Sequence, residues 1–75
     1  MVIDPGLAEA APCPLTMREQ EVLRSAAEGG TARDIARRVF LSPGTVRNNL
    51  SAAMFKLGAT TRAEAVRLAD EAGWL

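Results

Sequence analysis

"SPGTVRNNLSAAMFKLG", at residues 42–58, contains the start, the apolar stripe and the stop of one helix. Ser42 is a typical N-cap residue, and Pro43 suits the first helical position, where its missing N–H removes no hydrogen bond. Gly58 is a typical stop signal. Between these ends the apolar residues recur at helical spacing: Val46, Leu50, Ala53, Met54 and Leu57. The segment therefore predicts one amphipathic helix.

The opposite face of this helix is small, polar and nearly uncharged. Its outermost residues are Asn48, Ser51, Ala52 and Phe55, and Arg47 lies on one flank. Helices that face water usually carry charged side chains on their outer surface. A face that lacks them favours contact with a partner.

Capping motifs predict three further helices, which begin after Thr16, Thr31 and Thr61. Each threonine is followed three residues later by an acidic residue, as in a capping box. The predicted core stripes are Val22, Leu23, Ala26 and Ala27 in the first helix, Ile35, Ala36, Val39 and Phe40 in the second, and Ala65, Val66, Ala69 and Ala72 in the fourth. We therefore expect an all-α, four-helix domain.

The length and composition agree with one small domain. The chain has 75 residues, of which 48% are hydrophobic and only 4% aromatic. Residues 1–14 are rich in proline and read as a disordered or loosely packed linker, with one helical turn at residues 7–11 as a further expectation. Residues 15–75 then form the helical domain.

Charge is unevenly distributed along the chain, although the net charge is zero. Residues 31–62 hold six cations and one acid, a balance of +5, and the flanking segments carry −3 and −2. The basic segment contains the unusual helix. Positive charge at one place on a surface attracts polyanions such as nucleic acids.

Catalysis and metal binding have little support in the sequence. The chain has no histidine, and its single cysteine, Cys13, lies in the proline-rich segment without a base nearby. No spacing suggests a metal site, and we expect no cofactor. No segment approaches the ~20 apolar residues of a membrane span, and no secretory signal opens the chain, so we expect a cytoplasmic protein without membrane contact.

The second and third predicted helices, joined by a tight turn, suggest a helix-turn-helix unit whose third helix enters a DNA major groove. That groove is about 12 Å wide, so the deepest side chains must be small, as Ser51 and Ala52 are. Arg47 and Asn48 suit guanine and adenine edges. Thr45, Asn49 and Lys56 suit phosphates, and free N–H groups at residues 44–46 are expected to add a phosphate contact.

A helical protein-interaction module remains the alternative. Phe55, Leu68, Trp74 and Leu75 are apolar residues that a protein partner could contact. We expect Phe55 to point outward and the Trp74 ring to fold back over the fourth helix and close the core.

Residues 15–69 resemble the LuxR/GerE-type helix-turn-helix, the effector domain of NarL/FixJ-class response regulators and of quorum-sensing regulators. The motifs that carry the resemblance are Leu15-Thr16 with Arg18-Glu19, Glu21-Val22-Leu23, Gly29, Asp34-Ile35-Ala36, Ser42, Thr45-Val46-Arg47, Asn49, Lys56-Leu57 and Arg62-Ala63-Glu64-Ala65. The resemblance implies a third helix in the major groove of double-stranded DNA. It also implies a homodimer, formed through the fourth helix, on two-fold sites.

Carried over by position, the base-reading residues of the family fall on Arg47, Asn48 and Ser51. The resemblance places phosphate contacts at Thr31, Arg33, Ser42, Thr45, Asn49 and Lys56. Small residues on the fourth helix allow close approach, and the expected dimer contacts are Ala65, Leu68, Ala69 and Ala72. The family often has lysine where Arg33 stands, histidine where Asn49 stands and a cation where Ser51 stands, which leaves the preferred bases open.

The ends of the chain resemble those of actinobacterial two-component regulators. Residues 2–11 are similar to the linker after a receiver domain, and residues 63–75 are similar to the C-terminus of such proteins. One interpretation is an excised effector domain whose absent receiver is phosphorylated by an upstream histidine kinase. The other is a free-standing, GerE-like regulator without a receiver.

Overall fold

The computed structural model describes residues 13–75, and this part of the chain is all-α, as predicted. Its four helices are α1 (Met17–Ala26), α2 (Ala32–Val39), α3 (Pro43–Leu57) and α4 (Arg62–Glu71), and it contains no strand. The expected loose linker, except its last two residues, and the expected helical turn at residues 7–11 lie outside the described residues.

The capping boxes predicted for α1 and α2 are both present. Thr16 Oγ1 accepts from the Glu19 N–H at 3.0 Å, and Glu19 Oε1 accepts from the Thr16 N–H at 2.9 Å. Thr31 and Asp34 make the same exchange at 3.2 and 2.9 Å. The hydrogen bond from the Thr31 N–H, followed by that from its hydroxyl, lowers the pKa of Asp34 below its ordinary value.

The third predicted box, at α4, is only half correct. Thr61 Oγ1 accepts from the Glu64 N–H at 3.0 Å, so Thr61 is the N-cap. The Glu64 carboxylate, however, accepts from the N–H of Thr60 at 2.8 Å, one residue earlier than a capping box requires. The N–H groups of Thr60 and Glu64 are thereby satisfied, whereas the Thr61 N–H, which a capping box would bind, has no acceptor within the described residues.

The core lies where α1, α2 and α4 meet α3. Its largest fully buried side chains are Leu23, Ile35, Val22 and Val46. Each such side chain stabilises the fold by about 1.5–3 kcal/mol relative to an exposed position. Trp74, Leu75 and Cys13 pack against this core, which confirms the expectation that the C-terminus closes it.

Phe40 was predicted in the core, and that prediction is wrong. The residue is 92% exposed, because α2 ends at Val39 and Phe40 adopts the left-handed conformation with φ 59° and ψ 42°. This change of backbone direction turns the ring away from the apolar stripe. Leu41 follows, donates its N–H to Ala36 O at 3.0 Å and packs against the core instead.

Two arginines hold the turn between α1 and α2. Arg38 Nη1 donates to Ser25 O at 3.1 Å and to Gly29 O at 2.8 Å. Arg62 Nη2 donates to Gly30 O at 2.9 Å. Gly30 has φ +103°, and a Cβ there would lie 3.0 Å from the Asp34 side chain, so the turn requires glycine at this position.

We expect Phe40→Asn to raise the free energy of unfolding by about 1 kcal/mol, because asparagine adopts the left-handed conformation at lower cost. Little burial is lost at a residue that is 92% exposed. Urea denaturation measures the change. Phe55→Asn is the control, since Phe55 is equally exposed but lies inside α3 and should give no gain. A loss of stability in Phe40→Asn would contradict the argument.

Candidate nucleic-acid interface

The core fixes which face of α3 is available to a partner. Val46, Leu50 and Ala53 are buried at 0%, 8% and 0% exposure. Helical rotation of 100° per residue then places the predicted base readers on the open side. Arg47, Asn48 and Ser51 are indeed exposed, and none of their side chains forms a hydrogen bond or ion pair with another residue of the described part of the chain.

The first turn of α3 is tightly hydrogen-bonded, with Ser42 as N-cap, as predicted. Ser42 Oγ accepts from the Thr45 N–H at 3.1 Å and donates to Thr45 Oγ1 at 2.9 Å. The Val46 N–H donates to Ser42 O at 3.0 Å. The expectation of free N–H groups at residues 44–46 is therefore wrong for Thr45 and Val46. Of these three groups, only the Gly44 N–H lacks an acceptor within the described residues. The Thr45 hydroxyl proton also stays available.

Asn49 lies on the flank of α3 and is half-buried. Its Nδ2 donates to Thr45 O at 2.9 Å, one helical turn back. A side-chain amide carries two N–H donors, so one remains for a ligand beside the helix. The bond to Thr45 holds that donor in a defined direction.

Lys56 has an internal partner that sequence reasoning missed. Its Nζ donates to Glu19 Oε1 at 2.7 Å, and the two side chains are 33% and 8% exposed. Glu19 thus caps the start of α1 and also binds the end of α3. Burial by itself raises the pKa of Glu19, but the hydrogen bonds from Lys56 and Thr16 outweigh it, so that the pKa lies below its ordinary value.

The start of α2 presents Thr31 and Arg33, both of them exposed. Thr31 Oγ1 accepts from the Asp34 N–H, which leaves the hydroxyl proton of Thr31 free to donate. The Arg33 side chain forms no hydrogen bond or ion pair with another residue of the range 13–75. Both side chains can therefore reach an anion without breaking a described contact.

The four residues expected at a dimer contact on α4 divide into two pairs. Ala65 and Ala69 are buried at 0% exposure in the core of the chain itself, so their side chains are not available to a second copy. Leu68 is half-buried and Ala72 exposed, and the two lie one turn apart on the same side of α4. Of the four expected residues, only Leu68 and Ala72 therefore have side chains that a second copy could contact.

Residues 13–75 contain neither a candidate metal site nor a candidate membrane span. No three His, Cys, Asp or Glu side chains converge there in a way that could hold a metal ion. In the same range no helix is long and apolar enough to cross a bilayer. What this range does present is α3, held by one face and open on the other, preceded by the short helix α2. This arrangement defines a helix-turn-helix domain, a class of DNA-binding module.

The family follows from comparison with known proteins. The model of the family described as "Bacterial regulatory proteins, luxR family" matches residues 13–69. The chain belongs to this family, whose members are DNA-binding transcription regulators rather than enzymes. The match begins at Cys13, which packs against the core.

Three relatives illustrate the similarity. The uncharacterized transcriptional regulatory protein YvfU of Bacillus subtilis (strain 168) is 53% identical over 62 residues, which are 83% of this chain and 31% of YvfU. The response regulator RamR of Streptomyces coelicolor is 46% identical over 69 residues, 92% of this chain and 34% of RamR. The spore germination protein GerE of Bacillus subtilis is 46% identical over 52 residues, 69% of this chain and 70% of GerE. The chain thus spans about a third of the length of YvfU and RamR.

We expect Glu19→Gln to lower the free energy of unfolding at neutral pH by about 1–2 kcal/mol, because the charged partner of Lys56 is lost. The pKa of Glu19 is lowered by folding, so its stabilisation is complete above the ordinary value of 4.5 and disappears as the pH falls through the folded-state pKa. The variant should therefore lose less stability than the wild type on acidification, with Asp34 supplying part of the remaining pH dependence.

Urea denaturation at several pH values measures this dependence. Glu28→Gln is the matched control, because the Glu28 side chain is exposed and forms no hydrogen bond or ion pair within residues 13–75. It should retain the stability and the acid response of the wild type. Equal acid responses in Glu19→Gln and the wild type would show that the Glu19–Lys56 pair does not stabilise the fold.

Proposed function

We propose that the chain binds double-stranded DNA sequence-specifically as a transcription regulator, with α3 in the major groove. The observation that carries this proposal is the exposed, unpaired row of Arg47, Asn48 and Ser51 on a helix whose other face is fully buried. Side chains without internal partners can meet base edges without losing existing hydrogen bonds. Family membership supports the same function.

Each of the three side chains has a distinct role in base reading. Arg47 can donate two parallel hydrogen bonds to guanine O6 and N7, and Asn48 can pair with adenine N6 and N7. Both lie near the N-terminal end of α3, the end that contacts bases in helix-turn-helix proteins. Ser51 lies one turn further on and is small enough for α3 to sit deep in the groove.

Phosphate contacts on both sides of the groove would set the register. We assign them to Thr31 and Arg33 on α2, and to Ser42, Thr45, Asn49 and Lys56 on α3. Because the Ser42 hydroxyl proton is donated to Thr45, the donor of this pair that faces outward is the Thr45 hydroxyl. Lys56 uses one of its three N–H donors on Glu19, and the others can reach a phosphate.

A second copy of the chain would complete the DNA contact. One helix-turn-helix unit makes few contacts, and dimers bind two half-sites about one helical turn apart. We propose that Leu68 and Ala72 form the dimer contact on α4, because they are the two expected residues with accessible side chains. RamR is a response regulator. By analogy, we propose control by a receiver domain and its histidine kinase, and action in the cytoplasm.

Phe55 supports a second candidate function, the binding of a protein partner. Its ring is 88% exposed on α3, beyond the predicted base readers. Two of the other apolar residues considered for this role, Trp74 and Leu75, pack against the core and are not displayed for a partner. The salt dependence of the affinity distinguishes the two functions, because DNA binding weakens steeply as the salt concentration rises and apolar docking does not.

Selection of bound duplexes from a random library at low salt tests the proposal. We expect inverted repeats with half-sites about one helical turn apart. On the selected site, Arg47→Ala and Asn48→Ala should each cost about 1–3 kcal/mol of binding free energy and relax the preference at one base pair. Arg24→Ala, which removes an exposed arginine from α1, should change neither property. No enrichment and no binding would favour the protein-interaction function.

The dimer proposal predicts a different response from Leu68→Glu. A charge at this contact should abolish the preference for paired half-sites, while binding to a single half-site remains. Ala63→Glu places the same charge at an exposed position of the same helix and should retain the preference. Gel-shift titration with one and two half-sites measures both. If Leu68→Glu, shown to be folded by circular dichroism, still prefers paired half-sites, α4 is not the dimer contact.

A further inference from the structure

The cations of the basic segment, residues 31–62, differ in what they bind. Three of the six donate to groups within the chain: Arg38 to backbone carbonyls of the α1–α2 turn, Lys56 to Glu19 and Arg62 to Gly30 O. The other three are Arg33, Arg37 and Arg47. Their side chains are exposed and form no hydrogen bond or ion pair with a residue of the range 13–75. Arg33 and Arg47 have roles in the proposed function, and Arg37 has none.

Arg33 and Arg37 lie four residues apart on an eight-residue helix. Like charges at this spacing are neighbours on the helix surface and destabilise the helix. The acid between them, Asp34, makes no ion pair with either arginine within residues 13–75. The Thr31 hydrogen bonds lower the pKa of Asp34, and the charge of Arg37 adds to this more weakly, so Asp34 offsets only part of the repulsion. A row of phosphates would neutralise both arginines at once.

The direction of Arg37 separates it from its neighbour Arg38. Ile35, Ala36 and Val39 turn the apolar side of α2 inward, and Arg38 points to the α1–α2 turn. At 100° per residue, Arg37 lies about 150° from the centre of the apolar stripe, on the outward side that it shares with Arg33. Only Phe40 and Leu41 separate α2 from the N-cap of α3, so Arg37 lies close to the end of α2 that leads into the proposed DNA-reading helix.

We propose that Arg37 binds a backbone phosphate of DNA and extends the contact surface from α3 across α2. The inference rests on the proposed function. In helix-turn-helix proteins the first helix of the pair crosses the DNA backbone, and a contact made there fixes orientation without reading sequence. Arg37 then acts equally on every DNA sequence, in contrast to Arg47.

Arg37 also lies in the last turn of α2, where a cation is favoured by the helix dipole. The control must therefore be an arginine in the same situation. Arg24 fulfils this condition, because it is exposed, lies in the last turn of α1 and has no ion pair within residues 13–75. A comparison of Arg37→Gln with Arg24→Gln separates a phosphate contact from helix stability and from net charge.

The experiment measures fluorescence anisotropy of the selected duplex and of a scrambled duplex with the whole chain, between about 50 and 200 mM salt. For Arg37→Gln we expect the slope of log affinity against log salt to fall in magnitude by about 0.9, to the same extent on both duplexes. Arg24→Gln should keep the wild-type slope. Circular dichroism confirms that both variants are folded.

Three outcomes would overturn the inference while the proposed function stands, and a fourth would overturn both. An unchanged slope in Arg37→Gln would show that Arg37 meets no phosphate, and equal falls in both variants would show that only net charge matters. A loss confined to the selected duplex would make Arg37 a base reader. If the wild type binds neither duplex at low salt, the proposed function fails and the role of Arg37 fails with it, which is distinguishable because the first two outcomes require wild-type binding.

Discussion

The burial of Val46, Leu50 and Ala53 fixes the rotation of α3 about its axis, and the candidate interface depends on that rotation. If α3 were rotated about its axis by one residue position, Arg47 would enter the apolar core, where an unpaired charge costs several kcal/mol. The inward face therefore determines the outward one. Ser51 faces outward because its neighbours are held inside, and its own contacts do not position it.

The ends of the helices were predictable because each depends on a few adjacent residues. Thr16, Thr31 and Ser42 accept the hydrogen bonds that their spacing indicates, and Gly58 adopts the left-handed conformation that ends α3. Phe40 shows the limit of this reasoning. Its place in the sequence continues the apolar period of α2, but the helix ends one residue earlier and the period no longer applies.

The parts of the site that the sequence did not reveal involve residues distant along the chain. Lys56 and Glu19 are 37 positions apart, and no local pattern indicates that the end of α3 meets the start of α1. Ala65 and Ala69 illustrate the same limit. A small residue serves a core contact and a dimer contact equally well, and only the packing of α4 shows that these two serve the core.

The arginines that hold the α1–α2 turn differ from Lys56 in one electrostatic respect. Arg38 and Arg62 donate to backbone carbonyls, which carry no net charge, whereas Lys56 is neutralised by a carboxylate. Both arginines therefore keep a full positive charge while being fixed in position. Their field extends over a Debye length of about 8 Å at physiological ionic strength, and such fields accelerate the encounter of oppositely charged molecules. In the proposed function, the residues that hold the turn in place would thus also attract DNA that they need not touch.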